Sequence, residues 1–179
     1  MAGPYFPPLK VAGQTLAFDH LEPFVLEMAT QSRPNGVKID VRFSNHCFSE
    51  TFDAARHDDN AVAVWDGPRR RVFCPIRYGL SQALPHILKG LPTAHVYQTP
   101  EANFLRIGVR NDGGAGDYRV FFRVKRGAEA GVDLKLFVES AYSPEPAQAL
   151  AIAHMSKVRF AVLIDKTLKG EKLKFHRKR

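Results

Sequence analysis

Apolar and polar residues alternate with period two over most of this chain, and the period lengthens to that of a helix in one clear place. Val37, Ile39, Val41 and Phe43 alternate with Lys38, Asp40 and Arg42, which predicts a half-buried strand. Before it, residues 9–12 and 15–20 flank Gly13-Gln14, a two-residue loop suited to a hairpin, and residues 24–29 follow Pro23 as a further strand. Residues 57–60 read as a polar loop and 61–65 as a short apolar strand. Residues 66–71 read as a charged turn ending in Arg69, Arg70 and Arg71.

The helical stretch is residues 76–91. Ile76, Leu80, Ala83, Leu84, Ile87, Leu88 and Leu91 fall on one stripe. Pro75 suits an early helical position, and Gly90 and Pro92 suit the stop. Pro85 lies inside the run, so the helix is expected to kink there or to split in two.

Past Pro100 the period returns to two. Residues 103–109, 117–125 and 133–142 predict three strands joined by glycine-rich turns, connections of a length that joins antiparallel neighbours. Residues 144–155 are Ala-rich and predict a short helix, and residues 157–164 predict a fourth strand through Val158, Phe160, Val162 and Ile164. The expected fold class is α+β, a mainly antiparallel β-sheet with one or two helices in a single domain over residues 1–165. That domain comprises a β-rich part (9–65), the helix (76–91) and a β-meander (103–164), with a basic tail at 166–179.

Charge adds to this picture. Residues 166–179 hold seven Lys or Arg against one Glu, so nearly all of the formal net charge of +8 sits in this tail. A cationic segment of this kind attracts polyanions, through Coulomb steering and counterion release. Lys172, Lys174, Arg177, Lys178 and Arg179 are therefore expected to contact nucleic acid, and Arg69, Arg70 and Arg71 to grip phosphate beside the helix. No apolar run is long enough to cross a bilayer as a helix, and Met1–Pro8 lacks the charged and apolar regions of a secretory signal. A cytoplasmic location without membrane attachment is expected, and Cys47 and Cys74, each beside a Phe, are expected as buried thiols.

Alternation also assigns faces. Tyr118, Val120, Phe122 and Val124 point to the core, while Arg119, Phe121, Arg123 and Lys125 point away. Leu105, Ile107 and Val109 point inward, with Phe104, Arg106 and Arg110 outward. Leu134, Leu136 and Val138 point inward, with Lys135, Phe137 and Glu139 outward. If the three strands are neighbours, their second face gathers Phe104, Phe121 and Phe137 among Arg106, Arg119, Arg123 and Lys135. Rings that stack on bases beside cations that hold phosphate are the chemistry of single-stranded RNA on a sheet. The competing expectation is a second core layer, with the arginines snorkelling at its rim.

Gly116-Asp117-Tyr118-Arg119-Val120-Phe121-Phe122, followed by a second strand at residues 134–138, resembles the central strands of the RelE/ParE-like toxin superfamily. That resemblance covers residues 116–138 and implies a small α+β fold, for many members with cleavage of messenger RNA on the ribosome. It also implies a phosphate-polarising role for Arg119. This chain is longer, with a β-rich N-terminal part that the small toxins lack.

A metal-independent ribonuclease needs a base for the ribose 2′-hydroxyl, an acid for the leaving oxygen, and cations for the developing charge. Glu139, on the basic face, and His46, at a strand end, are the acid–base candidates. Arg119 and Arg123 are the phosphate cations. Tyr142 ends the strand of Glu139 but falls on the opposite face by strict alternation, so a bend near Ser140–Ala141 is required to unite them. No metal or cofactor is expected: His46, Cys47, Cys74, His57 and His86 lack ligand spacing, and phosphate-loop, dinucleotide and nucleophile-elbow motifs are absent. The partner expected is nucleic acid, RNA before DNA. The alternative is a protein-interaction module that docks its tail and sheet face on an acidic chain.

Overall fold

Turn chemistry sets the first hairpin. Strands β1 (Leu9–Val11) and β2 (Gln14–Leu16) pair antiparallel, and Ala12 and Gly13 between them both take positive φ, 48° and 80°. These are the angles that fit a two-residue loop to the right-handed twist of its strands. The loop sits one residue earlier than the sequence predicts. The computed structural model describes residues 3–99, 101–109, 117–144, 155–171 and 173.

The main element is a seven-stranded sheet, ordered β12-β8-β9-β10-β11-β4-β3. Its strands are β3 (Phe24–Met28), β4 (Val37–Phe43), β8 (His95–Gln98), β9 (Phe104–Val109), β10 (Asp117–Arg126), β11 (Leu134–Tyr142) and β12 (Lys157–Arg159). All neighbours pair antiparallel except β11 and β4, which run parallel. A second, three-stranded sheet, β5-β7-β6, is built from β5 (Ser49–Thr51), β6 (Ala63–Asp66) and β7 (Arg69–Phe73). With one hydrophobic core cluster shared by sheets and helices, the chain is an α+β single domain.

The helical stretch is split in two, one of the outcomes expected from its internal proline: α1 (Pro75–Ser81) and α2 (Leu84–Lys89) follow each other, with Pro85 in the first turn of α2, where its missing N–H costs no helical bond. Leu80, Leu84, Leu88 and Leu91 are buried against the sheet, whereas Ile76 stands largely exposed. Residues 69–71 lie in β7 and not in a turn. The turn is Gly67-Pro68, and Gly67 has φ 56°.

Residues 157–164 do not form one strand. Only Lys157–Arg159 pairs, and α3 (Phe160–Lys169) begins at once. The sequence satisfies both periods here. Phe160, Leu163 and Ile164, at i, i+3 and i+4, are the buried set, and Phe160 packs edge-on to Phe122 of β10 at 6.1 Å. Val162, which the strand reading buries, stands exposed. Gly170 closes α3 in the left-handed conformation, at φ 71°. The basic tail therefore begins later than expected, because Lys166 and Lys169 belong to the last turn of α3, where cations suit the helix dipole. Lys172, Lys174, Arg177, Lys178 and Arg179, and the helix predicted near 144–155 from residue 145 to 154, lie outside the described residues.

Gly108 of β9 lets α2 approach the sheet. A Cβ there would stand 2.6 Å from Ile87 Cδ1. Gly108→Ala is expected to cost about 1 kcal/mol, because the Ile87 Cδ1 methyl must turn aside to admit the new Cβ. Because Ile87→Val removes the clashing methyl, the double variant should unfold at higher denaturant than the sum of the two singles requires.

Candidate functional site

The three meander strands are adjacent, in the order β9-β10-β11, and their register decides which side chains share a face. Leu105 lies opposite Phe121, and Phe104 opposite Phe122. Phe104 and Arg106 therefore project to the side of Phe122 and Val120, the helix-covered side, and not to the basic face. Alternation misleads here, because the uniformly apolar parity of β9 is that of Leu105, which is fully buried on the side away from Phe122.

Burial removes two more members of the predicted face. Phe121 is 7% exposed and stacks on Tyr142 at 5.6 Å, so it is a packing ring and not a platform open to a base. Arg119 is 4% exposed, with Asp117 Oδ2 at 3.6 Å and with Nε and Nη1 buried without hydrogen-bond partners. It does not meet solvent as a phosphate cation.

What stays open is a row across the middle of the sheet. Arg123 of β10 lies opposite Phe137 of β11, which lies opposite Arg42 of β4. Phe137 is 40% exposed, a large ring kept in water between two arginines on strands about 10 Å apart. In the next row, Lys125 lies opposite Lys135, which lies opposite Asp40. This face is less basic than the sequence suggests, because carboxylates are interleaved. Arg42 Nε donates to Asp40 Oδ2 at 2.8 Å, with Glu129 Oε2 3.8 Å from its Nη2, and Lys135 Nζ donates to Glu129. Hydrogen bonding and charge from Lys135, with help from Arg42, hold the Glu129 carboxyl below its ordinary range.

Glu139 sits where β11 breaks register. Phe121 pairs with Ser140 and Phe122 with Val138, leaving Glu139 as the extra residue of a bulge. The bulge also resets the parity of the strand end, so Tyr142 lies opposite Arg119 and on the same side as Phe137. That provides the bend anticipated near Ser140–Ala141, one residue earlier. Both Glu139 oxygens have partners: Oε1 forms an ion pair with Arg123, 2.8 Å from its Nε, and Oε2 accepts from Asn103 Nδ2 at 2.7 Å. Asn103 is itself fixed by the Thr99 hydroxyl, which donates to its Oδ1. The Arg123 side chain is otherwise largely exposed. Asn103 and Thr99 were missed by the sequence reading, since neutral residues at the end of a loop carry no charge or periodicity signal.

His46 belongs to a different group. It lies in a 3-10 turn, Asn45–Cys47, after β4, and its Nε2 is 2.9 Å from Asp66 Oδ2. That hydrogen bond holds the Asp66 carboxyl below its ordinary range, with Arg71 and Arg69 contributing charge. Arg77 of α1 donates from Nη1 to His46 O at 3.2 Å and to Ser49 O at 3.0 Å, and its guanidinium lies 5.0 Å from the centre of the Tyr142 ring. Arg77 thus joins His46 to Tyr142, while Glu139 stays with Arg123 and Asn103. Cys47 is buried beside this group, and burial pushes its thiol up to about 12, which makes it an inert packing residue.

The arginine triplet divides three ways. Arg69 is exposed. Arg70 lies over the Phe52 ring at 4.0 Å and donates to Asp59 O at 2.7 Å, and Arg71 is buried on Ser49. They do not form one phosphate grip.

The family model for the YjaZ family matches residues 8–168, from just before β1 to the end of α3. The chain belongs to the YjaZ family. No curated protein and no solved structure matches it. In this YjaZ-family chain the row Arg42–Phe137–Arg123 and the bulged Glu139 both lie within the matched span, as do Arg71, Arg77 and His46. No helix among the described residues is long and apolar enough to cross a membrane.

Proposed function

We propose that this YjaZ-family protein binds single-stranded nucleic acid, RNA in preference to DNA, on the open face of its seven-stranded sheet. The observation that carries the reading is the solvent-exposed Phe137 ring set between Arg42 and Arg123 in one cross-strand row. A base stacking on the ring gains dispersion and sheds water, while guanidinium groups on both sides meet the flanking phosphates. The cationic residues beyond Gly170 supply long-range steering, since a flexible or fixed basic segment raises the local concentration of a polyanion equally well. In this reading Phe104, Arg106, Phe121 and Arg119 are structural, and recognition rests on Phe137, Arg42, Arg123, Lys125 and Lys135.

The same face holds one group able to act on a bound ribose. Glu139 is paired with Arg123 and oriented by Asn103, a placement suited to a base that takes a 2′-hydroxyl proton while Arg123 meets the phosphate. Kinship with RelE/ParE-like ribonucleases belongs to the same proposal, with Arg123 in place of Arg119 as the cation that reaches substrate. His46 is not part of that centre: its imidazole is engaged by Asp66.

Binding of labelled single-stranded RNA across a salt series tests the reading. Arg123→Gln is expected to reduce the slope of log affinity against log salt by about 1, the loss of one phosphate contact. If the wild-type protein cuts RNA, Glu139→Gln should abolish cutting and leave binding intact. Equal affinity for DNA contradicts the RNA preference. Absence of binding at low salt contradicts the proposal as a whole and leaves the row as a docking surface for an acidic protein chain.

A further inference from the structure

Two guanidinium groups, from Arg71 on β7 and Arg77 on α1, converge on one backbone oxygen. Arg71 Nη2 donates to Ser49 O at 2.9 Å, and Arg77 Nη1 donates to the same oxygen at 3.0 Å. Arg71 Nε also donates to Ser49 Oγ at 2.8 Å, and Arg77 Nη1 reaches His46 O at 3.2 Å. Every one of these acceptors is neutral. Among the described residues, no carboxylate lies within 4.0 Å of either guanidinium. The acidic groups that act on Arg71 from further away are Asp66 and Glu50. Each is engaged by a histidine, Asp66 by His46 at 2.9 Å and Glu50 by His57 at 3.2 Å.

Such an arrangement is costly for the protein alone. Arg71 is 8% exposed, and burial together with the neighbouring Arg77 charge lowers its pKa. Like charges held side by side on neutral carbonyls gain from a multivalent oxyanion, whose oxygens accept from both forks at once. Arg77 is half-buried, more accessible than Arg71, and the Tyr142 ring beneath its guanidinium helps to fix its direction.

We propose that Arg71 and Arg77 form a binding site for a phosphoryl group, delivered as free phosphate or as the terminal phosphate of an RNA strand. The Tyr142 end of β11 is five residues from Phe137, roughly 17 Å along the strand, so this site is separate from the stacking row. Its existence does not depend on the RNA-binding reading. Ser49 acts as a positioning residue, because its carbonyl and hydroxyl hold the two forks together before any ligand arrives.

Thermal unfolding with inorganic phosphate, against chloride at matched ionic strength, tests the site. The wild-type protein should gain about 3–6 °C in Tm at tenfold excess over Kd. Arg77→Gln retains a donor for the carbonyls but removes the charge, and should lose the gain while keeping native circular dichroism. Arg71→Lys keeps the charge without the fork and should show a smaller gain; it carries the test if Arg77→Gln is not native. No phosphate-specific gain in the wild type, or a gain that persists in both variants, overturns the proposal. A second arm compares 5′-phosphorylated with 5′-hydroxyl RNA. At least fivefold tighter binding of the phosphorylated strand, lost in Arg77→Gln, assigns the source as RNA. A thermal gain without that preference assigns free phosphate, and stands even if the protein binds no RNA.

Discussion

Alanine at Phe121 is expected to lower unfolding free energy by about 3 kcal/mol, a fall in Tm of roughly 6–12 °C for a chain of this size. Strand alternation places Phe121 on the side away from the helices, where a ring would be available to a ligand and dispensable to the fold. The structure assigns it the opposite role. It is 7% exposed, lies opposite the buried Leu105 and stacks on Tyr142 at 5.6 Å with an interplanar angle of 19°. Truncation leaves a cavity and removes the surface that holds the Tyr142 ring, on whose other contact, Arg77, the link to His46 depends. Chemical denaturation of the variant measures the loss directly. A change below 1 kcal/mol contradicts the assignment of Phe121 to packing.

Alanine at Phe137 is expected to do the reverse. Its ring is 40% exposed, so stability should change by less than about 1 kcal/mol. Affinity for single-stranded RNA should fall between roughly 5- and 150-fold, the range that one base–aromatic stack of about 1–3 kcal/mol supplies. The salt slope should be unchanged, because no phosphate contact is lost. This combination separates stacking from charge: Arg123→Gln changes the slope, and Phe137→Ala changes the intercept. Unchanged RNA affinity in Phe137→Ala removes the ring from recognition.

This contrast was not legible in the sequence, where alternation gives Phe121 and Phe137 to the same face, and the causes are specific. The period-two segments of β4, β10 and β11 show their faces clearly, because one side is apolar and the other charged. β9 does not, because Leu105 and Phe104 are apolar neighbours of opposite parity, so its face is set by pairing with β10 and not by its own pattern. The start of α3 satisfies both the strand and the helix period, and tertiary packing of Phe160 on Phe122 accompanies the helical choice. A bulge has no reliable sequence mark, yet the one at Glu139 resets which face Tyr142 occupies.

Charge was legible in amount but not in location. The arginine triplet looks like one basic patch, and it divides between solvent, the Phe52 ring and the buried Ser49 carbonyl. Arg77 was overlooked although it carried a signal. It stands three residues before Leu80 and four before the buried Ser81, a cation on the inward stripe of a helix. A charge in that position needs partners, and in the structure it finds two carbonyls and a ring.

The central claim is that RNA lies across the row Arg42–Phe137–Arg123. Ultraviolet cross-linking of a bound single-stranded RNA, followed by mapping of the modified peptides, tests it most directly. The account predicts a nucleotide adduct on Phe137, in the tryptic peptide that begins after Lys135. An adduct pattern confined to other peptides, with that one unmodified at saturating RNA, would contradict it.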